Sequence, residues 1–217
     1  MNNFQIKNSA LIIVDVQNDF CANGKLAVPN GEQIIPIINN LTPKFDLRIF
    51  TQDWHPKNHK SFASNHQGKN TFTKIKTFYG EQILWPDHCI QNTYGAALHK
   101  DLVIRNNDPL LRKGTNPEVD SYSGFFENDH ITKPRFDNNK TLDQVLKEHK
   151  IVNVFICGLA YDFCVAWHAL DAVKEGLNVA VIKYATKSIA TSTKEGSNTE
   201  IETDYRLTQA NVHIIRN

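Results

Sequence analysis

Val154-Phe155-Ile156-Cys157-Gly158-Leu159-Ala160-Tyr161-Asp162-Phe163-Cys164 decides how this chain is read. Four apolar residues lead into a turn of small ones, and a run opening on a cysteine follows. The pattern predicts a buried strand, a tight turn and a helix. A thiol at a helix start faces unpaired N–H groups and the positive end of the macrodipole, and both favour the thiolate. A thiolate so held is a nucleophile, so the segment points to hydrolysis or acyl transfer through a covalent intermediate. A cysteine by itself is more often a small core residue. The reading therefore rests on what else gathers around it.

Working outward, Ala10–Val16 is apolar until Asp15, as suits a parallel strand buried on both faces with a carboxylate at its end. Leu47–Gln52 is a second such run and ends at Asp53; Leu110–Arg112 is a third and leads into Lys113. Val152–Cys157, Val179–Ile182 and Val212–Ile215 complete the strands. Helices are predicted around Ile34, Ile37, Ile38 and Leu41, after an N-cap at Thr141, from Val165 to a stop at Gly176, and from about Ser197 to Ala210. This alternation gives an α/β fold, a doubly wound and mainly parallel sheet flanked by helices, in one domain spanning residues 1–217. Ligands bind beyond the carboxyl ends of such strands. Asp15, Asp53, Lys113 and the Cys164 turn all follow strands directly and gather on that edge. The stretches from Asp53 to Lys100 and from Gly114 to Asn139 lack regular period and read as functional loops.

Composition narrows the class. Lys and Arg number 24 against 23 Asp and Glu, so neither nucleic acid nor an anionic membrane is an expected partner. The longest apolar runs are too short to span a bilayer. Met1-Asn2-Asn3-Phe4 shows no basic start to a secretory leader. Cys21, Cys89, Cys157 and Cys164 have no disulfide-framework spacing, which suits a reducing cytoplasm.

Amide hydrolysis needs a nucleophile, a proton shuttle and a site for the oxyanion. Cys164 supplies the first and Asp15 the second, while Lys113 can stabilise both anions. The backbone N–H groups of Cys164 and of Ala160 or its neighbours can form the oxyanion hole. A second constellation is a metal site. Asp53 and His55, two apart in an extended segment, point to one side, and Trp85-Pro86-Asp87-His88-Cys89 adds another imidazole. Asp53, His55 and His88 form a mixed carboxylate–imidazole set suited to one divalent transition metal, with zinc first and iron or manganese as alternatives. His59 reads as either an extra ligand or a support for one. His66, His99, His130, His149, His168 and His213 read as solvated or supporting residues, and Cys157 as inert core. Phe20 and Trp85 can wall a flat heteroaromatic ligand.

Val14-Asp15-Val16-Gln17-Asn18-Asp19-Phe20-Cys21, Thr51-Gln52-Asp53-Trp54-His55-Pro56, Trp85–Cys89, Arg112-Lys113-Gly114, Asp120-Ser121-Tyr122-Ser123 and Gly158–Cys164 together resemble the nicotinamidase/pyrazinamidase group of the isochorismatase-like cysteine hydrolases. The resemblance covers nearly the whole chain. It implies the isochorismatase-like hydrolase fold and Asp15, Lys113 and Cys164 as a triad. It implies a metal on Asp53, His55 and His88 that binds a pyridine nitrogen, with Phe20, Trp85, Tyr122 and Leu159 around the substrate. It also implies a cis peptide at Leu159–Ala160 and, in some relatives, an extra metal ligand near His59 or Ser61. The activity implied is conversion of nicotinamide to nicotinate and ammonia through a thioester, with action on pyrazinamide, in pyridine-nucleotide salvage toward NAD. The partner is then a small heteroaromatic amide, with a homo-oligomer left open. Isochorismatases and carbamoyl-amide hydrolases of the same fold lack the Asp53/His55/His88 signature. A bare metal-binding module would have no use for the cysteine.

Overall fold

A computed structural model describes residues 8–194 and 196–217. Met1–Phe4, read above as carrying no leader, lies outside the described residues. In chain order the elements are β1 (Ser9–Val14), α1 (Ile35–Leu41), β2 (Leu47–Asp53), β3 (Lys74–Thr77), β4 (Gly80–Ile83), β5 (Leu110–Lys113), α2 (Leu142–Glu148), β6 (Asn153–Leu159), α3 (Ala166–Lys174), β7 (Asn178–Lys187), β8 (Ser192–Lys194), β9 (Ser197–Asn198), α4 (Thr199–Gln209) and β10 (His213–Ile215).

Six strands form one parallel sheet in the order β10-β7-β6-β1-β2-β5. The chain starts at the centre, winds outward through β2 to β5, then returns to the other side of β1 and winds outward again. The reversal falls between β1 and β6, the position where open α/β sheets form their ligand crevice. Every residue of β1 is buried, and alternate side chains serve opposite layers. Leu11 and Ile13 pack with Ile35, Ile38 and Leu41 of α1. Ala10, Ile12 and Val14 pack with Leu142 and Val145 of α2, Ala166 and Ala169 of α3 and Leu207 of α4. This is the two-faced burial that a continuous apolar run requires. The Thr141 cap is present, and Gln144 Oε1 accepts from its amide at 3.0 Å, the returning half of a capping box.

Three sequence expectations change. The stretch from Asp53 to Lys100 contains the hairpin β3–β4. β3 alternates between exposed and half-buried residues, and the buried residue of β4 is the polar Gln82, so no apolar period marks the hairpin. Residues 197 and 198 are strand rather than helix, and Asn198 caps α4 through its side-chain oxygen on the Ile201 amide. The helix after β6 opens at Tyr161, not at the cysteine: Tyr161–Val165 form a π turn that runs into α3. Among the described residues no helix is long and apolar enough to cross a membrane.

Gly158 sets the closeness of β6 to β1. It holds φ +113°, and a Cβ there would lie 2.1 Å from the Val14 carbonyl oxygen. Gly158→Ala is expected to cost at least about 2 kcal/mol, from strain plus displacement of β1. Urea unfolding checks this, and a loss under about 0.5 kcal/mol would mean that the contact tolerates a methyl group.

Candidate active site

Strand register brings the expected residues to one place. Asp53 at the end of β2 pairs with Lys113 at the end of β5. Asp15 follows Val14, whose partner is Gly158 of β6. Asp15 turns out of β1 with φ +48°, and the Thr51 hydroxyl both accepts from its amide (3.2 Å) and donates to its Oδ1 (2.6 Å). The Lys113 ammonium is fully buried. It donates to an Asp53 oxygen and to the Ser121 carbonyl (2.8 Å), lies 2.9 Å from Asp15 Oδ2, and reaches Cys164 Sγ at 3.5 Å. The structure thus brings Asp15, Lys113 and Cys164 into mutual reach.

The electrostatics follow from burial and charge. Burial opposes the charge on Lys113, but Asp15 and Asp53 together hold its pKa well above the lysine range. Burial raises the Asp15 carboxyl, against the pull of Lys113. Asp53 lies well below its usual range, because Lys113 and His55 outweigh its burial. The two carboxylates thus part in proton affinity, the pattern that separates a proton carrier from a permanent anion. Cys164 differs from expectation. Burial pushes its thiol well above the usual range; Lys113 pulls it down, while Asp15 and Asp53 push it up. Burial and the two carboxylates thus oppose the ionisation that a helix start would favour.

The π turn has its own consequence. The Ala160 carbonyl accepts from the amides of Phe163 and Val165, both at 3.1 Å, and passes over the Cys164 amide between them. That amide is one of the two expected in the oxyanion hole. The Leu159–Ala160 peptide is cis.

Asp53 Oδ2 lies 3.5 Å from His55 Nε2 and 3.7 Å from His88 Nε2. Each imidazole donates its Nδ1–H to a carbonyl: His55 to Gly114 (2.9 Å) and His88 to Pro86 (2.8 Å). Both Nε2 atoms therefore face the carboxylate, with Nδ1 anchored as in metal-binding histidines. The donor set fits a divalent metal. His59 is committed elsewhere. Its Nδ1 takes the Ser61 hydroxyl at 2.7 Å, and its Nε2 faces the Val119 carbonyl at 3.3 Å. Its ring lies 4.3 Å from that of His55, and with His55 and Asp120 it also forms a second group of potential ligands.

Beside the trio runs a narrow pocket lined by Phe20, Trp85, His88, Tyr122, Ala160, Phe163 and Cys164, among others. Phe20 faces His88 at 5.6 Å between ring centroids. Trp85 stands edge-on to Phe163 at 4.9 Å and donates its indole N–H to the Tyr122 hydroxyl at 3.0 Å. Leu159 does not line this pocket, contrary to expectation. Its side chain is buried in the core and packs toward Gly31.

The sequence matches the isochorismatase domain family over residues 9–212. The chain belongs to the isochorismatase family. Within that family it is 51% identical over 185 residues to a nicotinamidase of Acinetobacter baylyi, covering 85% of this chain and 84% of that one. A nicotinamidase/pyrazinamidase structure from Acinetobacter baumannii superposes with a TM-score of 0.87 at 45% identity, covering 96% of each chain. A pyrazinamidase of Pyrococcus horikoshii in complex with zinc superposes with a TM-score of 0.74 at 32% identity, covering 97% of this chain and 99% of that one.

Several residues of this isochorismatase-family site escaped the reading of the sequence. Thr51 buttresses Asp15, and its one signal was its place two residues before Asp53, on the same face of β2. Asp19 holds the His88 loop by accepting from the Cys89 amide at 2.7 Å. Gln17 grips Asp53 from both sides, accepting from its amide and donating to its carbonyl, each at 2.8 Å. Phe163 had no signal beyond adjacency to Cys164. Glu127, 4% exposed, keeps an oxygen without a hydrogen-bond partner.

Two outcomes are expected. The purified protein should hold about one divalent transition metal per chain, lost in Asp53→Ala and His88→Ala but kept in His59→Gln. Elemental analysis checks this, and metal loss in His59→Gln would restore His59 as a ligand. The second concerns Glu127, whose pKa burial raises from 4.5 to about 7 against the pull of Ser121 and Lys113. Between those values the folded state holds a proton that the unfolded state has released, so stability declines as pH rises through the window. Glu127→Gln lacks this titration. It should gain on wild type by at most about 1.4 kcal/mol per pH unit from about pH 4.5 to 7, with the gap constant above. Denaturation series across that range measure the gap.

Proposed function

We infer that this protein is a metal-dependent cysteine amidohydrolase that converts nicotinamide to nicotinate and ammonia. The observation that carries this reading is the shared cavity. The Cys164 sulfur lines an aromatic-walled pocket with Asp53 and His88 of the carboxylate–imidazole trio, and behind it the buried Lys113 ammonium reaches both that sulfur and the Asp15 carboxylate. The identity to curated nicotinamidases supports the substrate.

Asp53, His55 and His88 would hold a divalent metal, for which we propose zinc, and it would supply a Lewis acid at the ring end of the pocket. Phe20 and Trp85 bracket the ring and exclude water. Asp15 accepts the Cys164 proton as Sγ attacks the amide carbon. The developing oxyanion meets the backbone amides of Cys164 and Ala160. Asp15 then returns the proton to the departing nitrogen, and ammonia leaves a thioester on Sγ. A water molecule gives its proton to Asp15 and attacks the thioester carbon; Cys164 recovers its hydrogen as nicotinate is released. Throughout, Lys113 keeps Asp15 oriented and its charge balanced.

Pyrazinamide presents the same carboxamide on a ring of the same shape, so we propose it as a second substrate. We assign the whole chain to one catalytic unit in pyridine-nucleotide salvage toward NAD, and place it in the cytoplasm on its four unpaired cysteines.

Mixing with nicotinamide should release ammonia and nicotinate, with Cys164→Ala slower by at least about a thousandfold. Asp15→Asn should lose about 10²- to 10⁴-fold in kcat. Coupled ammonia assays, with mass spectrometry of the acylated Cys164 peptide, test both. Turnover by Cys164→Ala near the wild-type rate would sink the covalent route.

A further inference from the structure

His168, set aside above among the solvated or supporting histidines, is fully buried on α3, one turn beyond the nucleophile. Both ring nitrogens are engaged. Nε2 stands 2.8 Å from the Gly124 amide, and because an N–H can only donate, Nε2 is the acceptor. The proton is therefore on Nδ1, which donates to the Cys164 carbonyl at 2.8 Å. The ring is neutral and fixed in one tautomer, with burial and then Lys113 holding its pKa down to about 3.

Its two ends grip the two walls of the site. One is the backbone of the nucleophile itself. The other is the segment Asp120–Gly124, whose Ser121 carbonyl holds the Lys113 ammonium and whose Tyr122 hydroxyl holds Trp85. The approach leaves no slack: a Cβ on Gly124 would lie 2.9 Å from His168 Nε2. We propose that His168 is a positioning residue, a neutral imidazole strap that sets the separation between the Cys164 sulfur and the cation–carboxylate pair. The proposal rests on the amidohydrolase reading for its kinetic consequence, though not for the strap itself. His168 touches neither substrate nor any reacting atom, and acts through Cys164 and Ser121. Loosening the strap displaces the sulfur from Lys113 while leaving the ring-binding walls of Phe20 and the metal trio in place.

The test is His168→Phe, which keeps an aromatic ring and removes both hydrogen bonds. Its kcat for nicotinamide should fall about 10- to 100-fold, as expected for a misplacement of about an ångström. Its KM should rise by a smaller factor than kcat falls, since Phe20 and the metal trio stay in place and only the Tyr122–Trp85 wall follows the loosened segment. Amide hydrogen exchange over residues 120–125 should quicken about tenfold with the Gly124 acceptor gone. Added imidazole should restore His168→Ala about fivefold or more in kcat, by refilling the acceptor and donor. This arm also serves if His168→Phe does not fold. Unchanged exchange, unchanged kcat, a rise in KM at constant kcat, or no rescue by imidazole would each overturn the proposal. The exchange experiment uses no substrate. If the wild-type protein did not turn over nicotinamide, the proposed activity would fail while the strap was still judged on exchange.

Discussion

The buried ammonium of Lys113 is the interaction around which the carboxyl edge of this sheet is arranged. A lysine taken wholly out of water is costly unless paired and hydrogen-bonded. Here Asp15, Asp53 and the Ser121 carbonyl surround it, with the Cys164 sulfur at the remaining side. Each partner comes from a different part of the chain. The pairing therefore ties β1, β2, the 120–124 segment and the π turn to one point. It also divides the labour between two like-charged groups. Asp53 is held as a permanent anion facing the imidazoles, whereas Asp15 keeps enough proton affinity to exchange a proton with a thiol.

The sheet makes this convergence possible. Its winding reverses between β1 and β6, so two neighbouring strands send their following chain to opposite sides and leave a crevice above. Asp15 and the Cys164 turn are the first structure after those two strands. Gly158 allows β6 to approach β1 more closely than a side chain would permit. The π turn then directs the Ala160 carbonyl to the Phe163 and Val165 amides and past that of Cys164. Extra-residue turns of this kind recur at functional sites.

Much of this was legible in the sequence because strand ends are. A continuous apolar run ending in Asp15, with two strand-like segments ending in Asp53 and Lys113, gave the parallel sheet and the edge on which these residues meet. The Asp53-x-His55 spacing and the proline-bounded His88 segment gave the trio. Residues whose role depends on contacts far along the chain left no local mark. Thr51 sits within an ordinary strand pattern, and nothing near it says that its hydroxyl faces Asp15. The exposed hairpin β3–β4 lacks the apolar alternation that reveals a half-buried strand. Leu159 was assigned to the substrate by resemblance, but side chains alternate along β6 and its own goes to the core. The burial that opposes ionisation of Cys164 is hidden for a similar reason. A helix start can be seen in a sequence, but the depth of burial that opposes ionisation cannot.

Gln17 carries one more consequence. Its side-chain amide pairs with the amide and the carbonyl of Asp53 as a peptide group would, and also donates to the Ala96 carbonyl. It supplies a rung where the backbone of β1 has already turned away. The last residue of β2 is thus docked to the centre of the molecule and, through Ala96, to one point of the long excursion that follows it. The parts of that excursion away from His55, the His88 segment and Ala96 can change without shifting the carboxylate. Novelty in what the enzyme accepts can accordingly arise in the covering loops while the chemical centre stays put.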